Sequence, residues 1–183
     1  ALTQGTARVT ATAASAPGAP SGIAELDIID GDPHVLIQNQ CAENPPASPV
    51  PYPNYREACI NTIPAVKFDK LMAADTLTAA NIGLFICNEQ GCDNEVALSS
   101  VETISGLIRG VNGIIGVRLL PQNNLAPSTN YEVRLKRDIL STNGRALAGL
   151  NSWNFKTRNS NQPCVFISLI VNPTDWRFSA ANE

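Results

Sequence analysis

The chain has 183 residues, a formal net charge of −3 and only 16% charged residues, so it lacks the clustered Lys and Arg that mark nucleic-acid binding. Its length allows one domain of ordinary size plus additional segments. No apolar run in the sequence approaches the roughly 18–20 residues that a membrane-spanning helix needs, and it shows no long stretch of helical periodicity. This composition is typical of a secreted all-β protein.

The first 29 residues predict a β-hairpin. Small apolar and polar residues alternate in ARVTATA (7–13) and again in IAELDI (23–28), with a loop rich in Pro, Gly and Ser between them. A two-stranded hairpin is only marginally stable by itself in water. We therefore expect these strands to belong with further strands.

Three carboxylates, Asp27, Asp30 and Asp32, cluster at what the sequence indicates is a junction between domains. Calcium bound between domains uses such oxygen ligands, so a calcium site is one interpretation of the cluster. A polar linker turn is the other. The sequence indicates no other cofactor.

A proline-dense stretch covers residues 41–59 and also contains Tyr52 and Tyr55. Proline cannot donate a hydrogen bond to a sheet ladder, so we predict a long loop here. Long loops in compact domains are often functional, and exposed tyrosines serve as anchors in protein contacts. The loop is therefore either a contact loop or an insertion without a binding role.

Four of the five cysteines fall into two predicted disulfides. Cys87 and Cys92 enclose a four-residue loop between two apolar runs, a spacing that suits a staple across a hairpin. Cys41 and Cys59 flank the proline-dense loop, and we predict that they pair with each other. By loop entropy the shorter bridge is worth roughly 2 kcal/mol and the longer one roughly 3 kcal/mol.

Zinc is the alternative interpretation of these cysteines. Zinc sites favour two close pairs of cysteines or added histidines, whereas the only histidine here is His34, on the predicted opening strand. Disulfides fit the spacing better, and they imply an oxidising compartment. Cys164 is then left over, which indicates a partner outside the predicted pairs.

Residues 33–158 show about eight short strands at regular spacing, the pattern of a β-sandwich. The clearest strand covers residues 131–136, where apolar and charged residues alternate with a period of two. The first strand is predicted at residues 34–38, and separate strands are predicted at 96–100 and 102–108. The predicted core consists of Val66, Phe68, Leu84, Ile86, Leu119, Tyr131, Val133, Leu135, Trp153 and Phe155.

The second half of this region carries the order L-x-P-x-T-x-Y-x-V-x-L, then an Asp, then W-x-F-x-T. It resembles the C-terminal half of a bacterial Ig-like domain of the kind found in S-layer and other bacterial surface proteins. The resemblance implies an antiparallel Ig-like sandwich over residues 33–158, and it implies little about function, since such domains host many roles. The matching residues are Leu125, Pro127, Thr129, Tyr131, Val133, Leu135, Asp138, Leu147, Trp153, Phe155 and Thr157.

Both ends of the chain resemble parts of such domains. Residues 1–29 are similar to the closing strands of a preceding Ig-like repeat, and residues 164–183 are similar to the opening strands of a following one. The fold class predicted for the chain is therefore an all-β, Ig-like sandwich with partial β elements of neighbouring Ig-like domains at both ends. Unpaired strand edges invite pairing with another chain.

No catalytic constellation is legible in the sequence. One histidine gives no Ser-His-Asp arrangement, and no glycine-rich phosphate loop is present. We expect a non-catalytic structural or assembly module of an extracellular bacterial surface protein or filament built from tandem Ig-like domains. The alternatives are an adhesin or carbohydrate-binding module, or an accessory domain of a secreted enzyme.

The expected partners are neighbouring Ig-like domains or further copies of the chain, arranged head to tail. Two arrangements can supply the strands that the partial domains at the two ends lack. In a tandem array the missing strands are covalently attached, whereas in strand exchange the tail of one copy completes the head of the next. Neither nucleic acid nor a membrane span is expected.

Overall fold

The computed structural model describes residues 5–12, 21–28, 31–37, 48–165, 170–171 and 178–179, and it gives side chains for residues 31–37 and 48–165. Strands dominate this part of the chain, and its one helical element is a 3₁₀ turn at Ala74–Thr76. The strands are β1 (Gly5–Thr12), β2 (Ser21–Ile28), β3 (Tyr55–Ala58), β4 (Ala65–Lys67), β5 (Ile82–Asn88), β6 (Gly91–Glu95), β7 (Leu98–Ile108), β8 (Val111–Pro121), β9 (Asn130–Leu135), β10 (Ser152–Thr157), β11 (Ile170–Val171) and β12 (Phe178–Ser179).

Two sheets form the central sandwich. One has five strands in the order β3-β10-β9-β5-β6, and the other has three strands in the order β4-β8-β7. All of these pairings are antiparallel except that of β3 with β10, which is parallel. β1 with β2 and β11 with β12 form two separate antiparallel hairpins. The predicted all-β sandwich is confirmed.

The core lies between the two sheets and contains the predicted side chains. Each of them is buried except Ile86, which is partly buried and packs against the core. Tyr131 and Phe155 stack with ring centroids 5.5 Å apart, joining neighbouring strands β9 and β10. Period-two alternation thus identified the buried face of each strand, because successive side chains of a strand point to opposite faces.

A buried polar network explains why the L-x-P-x-T-x-Y and W-x-F-x-T motifs occur together. The Tyr131 hydroxyl accepts a hydrogen bond of 2.7 Å from the Ala126 N–H, and the Thr157 hydroxyl donates one of 2.6 Å to the Ala126 carbonyl. The Thr157 hydroxyl also accepts a 3.0 Å bond from the Thr129 N–H. This arrangement is a tyrosine corner. Burial raises the pKa of Tyr131, although its hydrogen bonds oppose that shift.

Two predicted strand assignments were wrong, and one strand was missed. In the predicted first strand, His34 and Val35 make only isolated bridges, to Ala148 and Phe68. Residues 98–108 form one strand, β7, in place of the separate strands predicted at 96–100 and 102–108, and its register shifts near its start and at Ile104 in the manner of a β-bulge. β6 was missed because charged and polar residues fill it, leaving no apolar alternation to detect.

The described part of the proline-dense stretch, residues 48–59, makes more regular pairings than a loop prediction implies. Val50 exchanges two backbone hydrogen bonds of 2.8 Å with Ala65 of β4. The Ser48 hydroxyl accepts a 2.9 Å bond from the Lys67 N–H, so residues 48–50 cover the outer edge of β4. Further along, the proline-free strand β3 joins the five-stranded sheet. Residues 38–47 lie outside the described residues.

Candidate functional site

The most distinctive feature outside the core is a covalent clasp, which we define as Cys59, Cys164 and Asn61. Cys59 and Cys164 form a disulfide with their Cα atoms 5.7 Å apart and 105 positions apart in sequence. Beside it, Asn61 donates a 2.9 Å hydrogen bond from its side-chain amide to the Cys164 carbonyl and accepts one of 3.0 Å from the Cys164 N–H. The connector that follows the sandwich is therefore held by one covalent bond and two hydrogen bonds.

The topology of the five-stranded sheet places the clasp. β3 and β10 are parallel neighbours, so their C-terminal ends lie at the same end of the sheet. Just beyond those ends, the Arg158 N–H donates a 2.9 Å hydrogen bond to the Ala58 carbonyl. Residues that follow the two strands consequently meet, although more than a hundred positions separate them.

The predicted pairing of Cys41 with Cys59 is corrected by this geometry. Cys59 is bonded to Cys164, so the partner of Cys164 is one of the four cysteines that the sequence assigned to the two predicted pairs. The prediction relied on closeness in sequence, whereas the parallel pairing of β3 with β10 decides the partner. Cys41 lies outside the described residues.

The second disulfide joins Cys87 to Cys92 across the β5–β6 hairpin, the pair that the spacing predicts. Within the turn, the Asn88 side-chain oxygen accepts bonds of 2.9 and 3.1 Å from the N–H groups of Gln90 and Gly91. Cys87 and Cys92 lie near Glu132 in a group of potential metal ligands. Because both sulfurs are bonded to each other, they are not thiolates, the form that binds metal.

Of the proposed calcium ligands, the structure describes the side chain of Asp32 alone. Its carboxylate accepts bonds from Arg145 at 2.8 and 2.9 Å, and this pair is exposed. The side chain of Asp27 and the whole of Asp30 lie outside the described residues. A calcium site at this cluster therefore stays a prediction.

His34 has a local structural role in the described part of the chain. Its N–H donates a 2.7 Å hydrogen bond to the Asp69 carboxylate, and its carbonyl accepts one of 3.1 Å from the Asp69 N–H. The ring is exposed, with Nδ1 3.8 Å from the same carboxylate. These contacts tie residues 31–37 to the segment that follows β4.

A broad groove of about 970 Å³ crosses one end of the outer face of the five-stranded sheet. The Arg134 guanidinium lies 4.5 Å from the centre of the Phe85 ring and pairs with Glu132 at 2.6 Å. A Cβ atom at Gly83 would lie 2.6 Å from that ring, so the glycine leaves room for Phe85 to lie flat on the sheet. Alternation in residues 131–136 predicts exposed charged side chains but not this stack, because its members come from two strands, β5 and β9.

A smaller groove of about 500 Å³ occupies the other end of the same face. It brings Tyr55, one of the two predicted contact residues, to the Cys87–Cys92 disulfide. Tyr55 is 40% exposed, whereas Tyr52 does not line the groove. The remaining lining residues are Asn54, Arg56, Asn130, Asn154, Phe155 and Lys156. The outward positions of Asn130, Asn154 and Lys156 on β9 and β10 follow from strand alternation, but the sequence does not show that these residues meet Tyr55.

No helix among the described residues is both long and apolar enough to cross a membrane.

Comparison with protein families identifies the sandwich. The family model of the bacterial Ig-like domain matches residues 47–157, more than half of the chain. The chain therefore belongs to the bacterial Ig-like domain family, as the motifs of β9 and β10 indicated. The sequence matches no curated protein.

Three solved structures of S-layer proteins are similar in fold, each with a TM-score of 0.43 over 69% of this chain. They are the S-layer protein rSbsC(31-844), at 13% identity, the N-terminal part of the bacterial S-layer protein SbsC, at 14%, and surface layer protein SbsC, domains 1-6, at 15%. This chain spans 14%, 24% and 14% of their respective lengths.

Proposed function

We propose that the chain is a non-catalytic structural module of an extracellular bacterial surface protein or filament built from tandem Ig-like domains. The covalent clasp is the observation that carries this proposal. A disulfide that encloses most of the sandwich and fixes the connector behind it suits a module whose ends are attached to neighbours. It also suits an oxidising location outside the cytoplasm.

We propose the same division of the chain that the sequence predicts. Residues 33–158 form the complete domain, residues 1–29 supply the closing strands of a preceding repeat, and residues 164–183 supply the opening strands of a following one. The hairpins β1–β2 and β11–β12 support this division, because each has too few strands to be stable by itself. Contacts then run head to tail along an elongated array, since repeats in series contact only their neighbours.

Surface labelling of the producing bacterium tests the location. Antibodies raised against residues 31–165 should label intact cells without permeabilisation, and protease added to intact cells should remove the label. Label that needs permeabilisation would contradict an extracellular role.

Electron microscopy of the assembled parent protein tests the structural role. A Cys59→Ser/Cys164→Ser double variant should give shorter or less regular assemblies, because the connector is no longer fixed. A Cys87→Ser/Cys92→Ser double variant is the matched control and should assemble normally. Equal assembly by both variants would show that the clasp is not needed for the array.

The groove beside Tyr55 favours a second candidate function, binding of a carbohydrate. It combines an exposed aromatic ring with the side-chain amides of Asn54, Asn130 and Asn154. Aromatic faces with a few convergent polar groups are typical of small-ligand sites. This groove makes an adhesin or carbohydrate-binding module the alternative to a purely structural role.

A glycan array followed by titration calorimetry tests the second candidate. Tyr55→Ala should weaken binding of any glycan detected by at least about tenfold, which corresponds to about 1.4 kcal/mol. Tyr52→Ala is the control, since Tyr52 does not line the groove, and it should bind as the unmodified chain does. The absence of binding across the array would leave the structural role alone.

A further inference from the structure

We infer that the Cys59–Cys164 disulfide is a force bypass, which carries tension past the sandwich through one covalent bond. This inference rests on the proposed function, because a module in an extended array is pulled through the segments that precede and follow it. When the chain is pulled from a point before Cys59 and a point after Cys164, the Cys59–Cys164 bond can transmit the tension directly from one segment to the other. Once the residues before Cys59 have been pulled off the sandwich, the strands between the two cysteines bear none of it.

Nearly the whole domain lies between the two cysteines. Strands β4 to β10 all fall within this interval. Among the described residues, each buried apolar side chain of the core lies there too, apart from Val35 and Ala58. The bypass therefore shields both sheets of the sandwich and almost all of its packing.

The strands enclosed by the bridge also need not deform before the bridge carries tension. β3 leads into Cys59, and β10 lies beside β3 and precedes Cys164. The two attachment points, Cys59 and Cys164, are therefore already adjacent in the folded state. The Cα atoms of Cys59 and Cys164 are 5.7 Å apart, and the hydrogen bonds of Asn61 hold the Cys164 backbone in place. Because the bonded distance is the native distance, no slack has to be removed before the disulfide takes the tension.

The part of the domain that precedes Cys59 remains exposed to tension. Residues 31–37 and 48–58 are held to the sandwich by pairs such as the Leu36 N–H with the Lys67 carbonyl, at 2.8 Å, and Val50 with Ala65. These bonds can be pulled apart strand by strand while the core stays folded. The module should thus extend in a first, limited step and then stop.

The other disulfide cannot act in this way. Cys87 and Cys92 are five positions apart, so their bond shields only the β5–β6 turn. Removing it would lengthen an unfolded chain by about 17 Å, taking 3.3–3.6 Å per residue. Removing the Cys59–Cys164 bond frees 105 positions, or about 350–380 Å. The two bonds therefore differ about twentyfold in the length that they withhold.

Single-molecule force spectroscopy tests the inference on the full chain, with handles attached before residue 1 and after residue 183. Under oxidising conditions the unmodified chain should end about 330–360 Å shorter than the Cys59→Ser/Cys164→Ser variant, which keeps the Cys87–Cys92 bond and so still withholds 5 of the 105 positions. The Cys87→Ser/Cys92→Ser variant should match the unmodified chain to within about 17 Å. Equal extension of the unmodified and Cys59→Ser/Cys164→Ser chains would overturn the bypass.

A second measurement needs no variant to fold. The unmodified chain is held at constant force after its first extension, and dithiothreitol is then added. The two thiols of dithiothreitol are oxidised to its cyclic disulfide, while Cys59 and Cys164 gain two electrons and two protons and become thiols. The extension should then rise by about 350–380 Å in total, of which reduction of Cys87–Cys92 contributes only about 17 Å. The absence of this rise would overturn the inference. Failed surface labelling with this rise present would instead reject the proposed function alone.

Discussion

The two disulfides close the chain on very different scales, and the difference separates local from tertiary information. Cys87–Cys92 joins adjacent strands of one hairpin, at a sequence separation of 5, whereas Cys59–Cys164 encloses most of the sandwich, at a separation of 105. In the loop-entropy model the stabilisation grows with the logarithm of loop length, to about 2 kcal/mol for the short loop and about 5 kcal/mol for the long one. The longer bridge should dominate both the stability of the domain and its response to tension.

The largest expected effect follows from opening the long bridge. Cys59→Ser/Cys164→Ser should lower the free energy of unfolding by about 5 kcal/mol, because the unfolded chain regains the entropy of a loop with 105 positions. Urea titration followed by tryptophan fluorescence measures this loss. A loss no larger than that of the Cys87→Ser/Cys92→Ser variant would break the comparison between the two bridges.

Opening the short bridge is the matched experiment. Cys87→Ser/Cys92→Ser should cost about 2 kcal/mol, since few conformations of the unfolded chain are lost on closing a short loop. The hairpin keeps its strand pairing, so circular dichroism should be unchanged below the unfolding transition. The same urea titration gives both losses of stability. Their ratio tests the predicted dependence of stabilisation on loop length without relying on either absolute value.

The sequence predicted the short bridge and missed the long one for a physical reason. A turn between two strands is a local event, so the spacing of Cys87 and Cys92 was sufficient. The partner of Cys59 depends on a parallel pairing between strands almost a hundred residues apart. Alternation shows which face of a strand is buried and gives no information about which strand lies beside it.

The same distinction holds for the rest of the fold and for the grooves. The core residues of β9 and β10 were predictable, because period-two alternation and the motifs of the Ig-like family agreed on them. β6 was not predictable from alternation, because polar and charged residues such as Asp93 and Glu95 fill it. It is a strand because it pairs with β5. Tyr55 was predicted as a contact residue, yet its neighbours in the groove come from distant strands.

A third experiment tests a polar contact, the hydrogen bond accepted by the Tyr131 hydroxyl, in place of a disulfide. The Tyr131 hydroxyl holds the partly exposed turn before β9, and Tyr131→Phe leaves the Ala126 N–H without its acceptor at an unchanged ring volume. We expect a loss of about 1 kcal/mol, the typical net contribution of one hydrogen bond. Urea titration at pH 7 measures it, and a change below about 0.3 kcal/mol would show that the turn is held by packing alone.

The pH dependence of the free energy of unfolding, compared between the unmodified chain and Tyr131→Phe, tests the burial of Tyr131 independently. Burial raises the pKa of Tyr131 above its unfolded value of 10.0, so the folded state favours the neutral hydroxyl. The stability linked to this shift is fully present below pH 10 and is lost as the pH rises through the folded pKa. The unmodified chain should therefore lose stability more steeply than Tyr131→Phe above about pH 10. Parallel pH profiles would show that the pKa of Tyr131 is the same in the folded and unfolded states.

The smallest expected effect separates the hydrogen bonds of the clasp from its disulfide. Asn61→Ala removes both bonds to the Cys164 backbone, at 2.9 and 3.0 Å, and leaves the covalent link in place. Because these groups are exposed and water can replace the amide, we expect a loss of only about 0.5 kcal/mol. The local effect should be larger than the global one, with faster hydrogen exchange at the Cys164 N–H. Slow exchange at that position in Asn61→Ala would show that the disulfide alone fixes the connector, whereas in Cys59→Ser/Cys164→Ser the remaining Asn61 bonds should not keep it ordered.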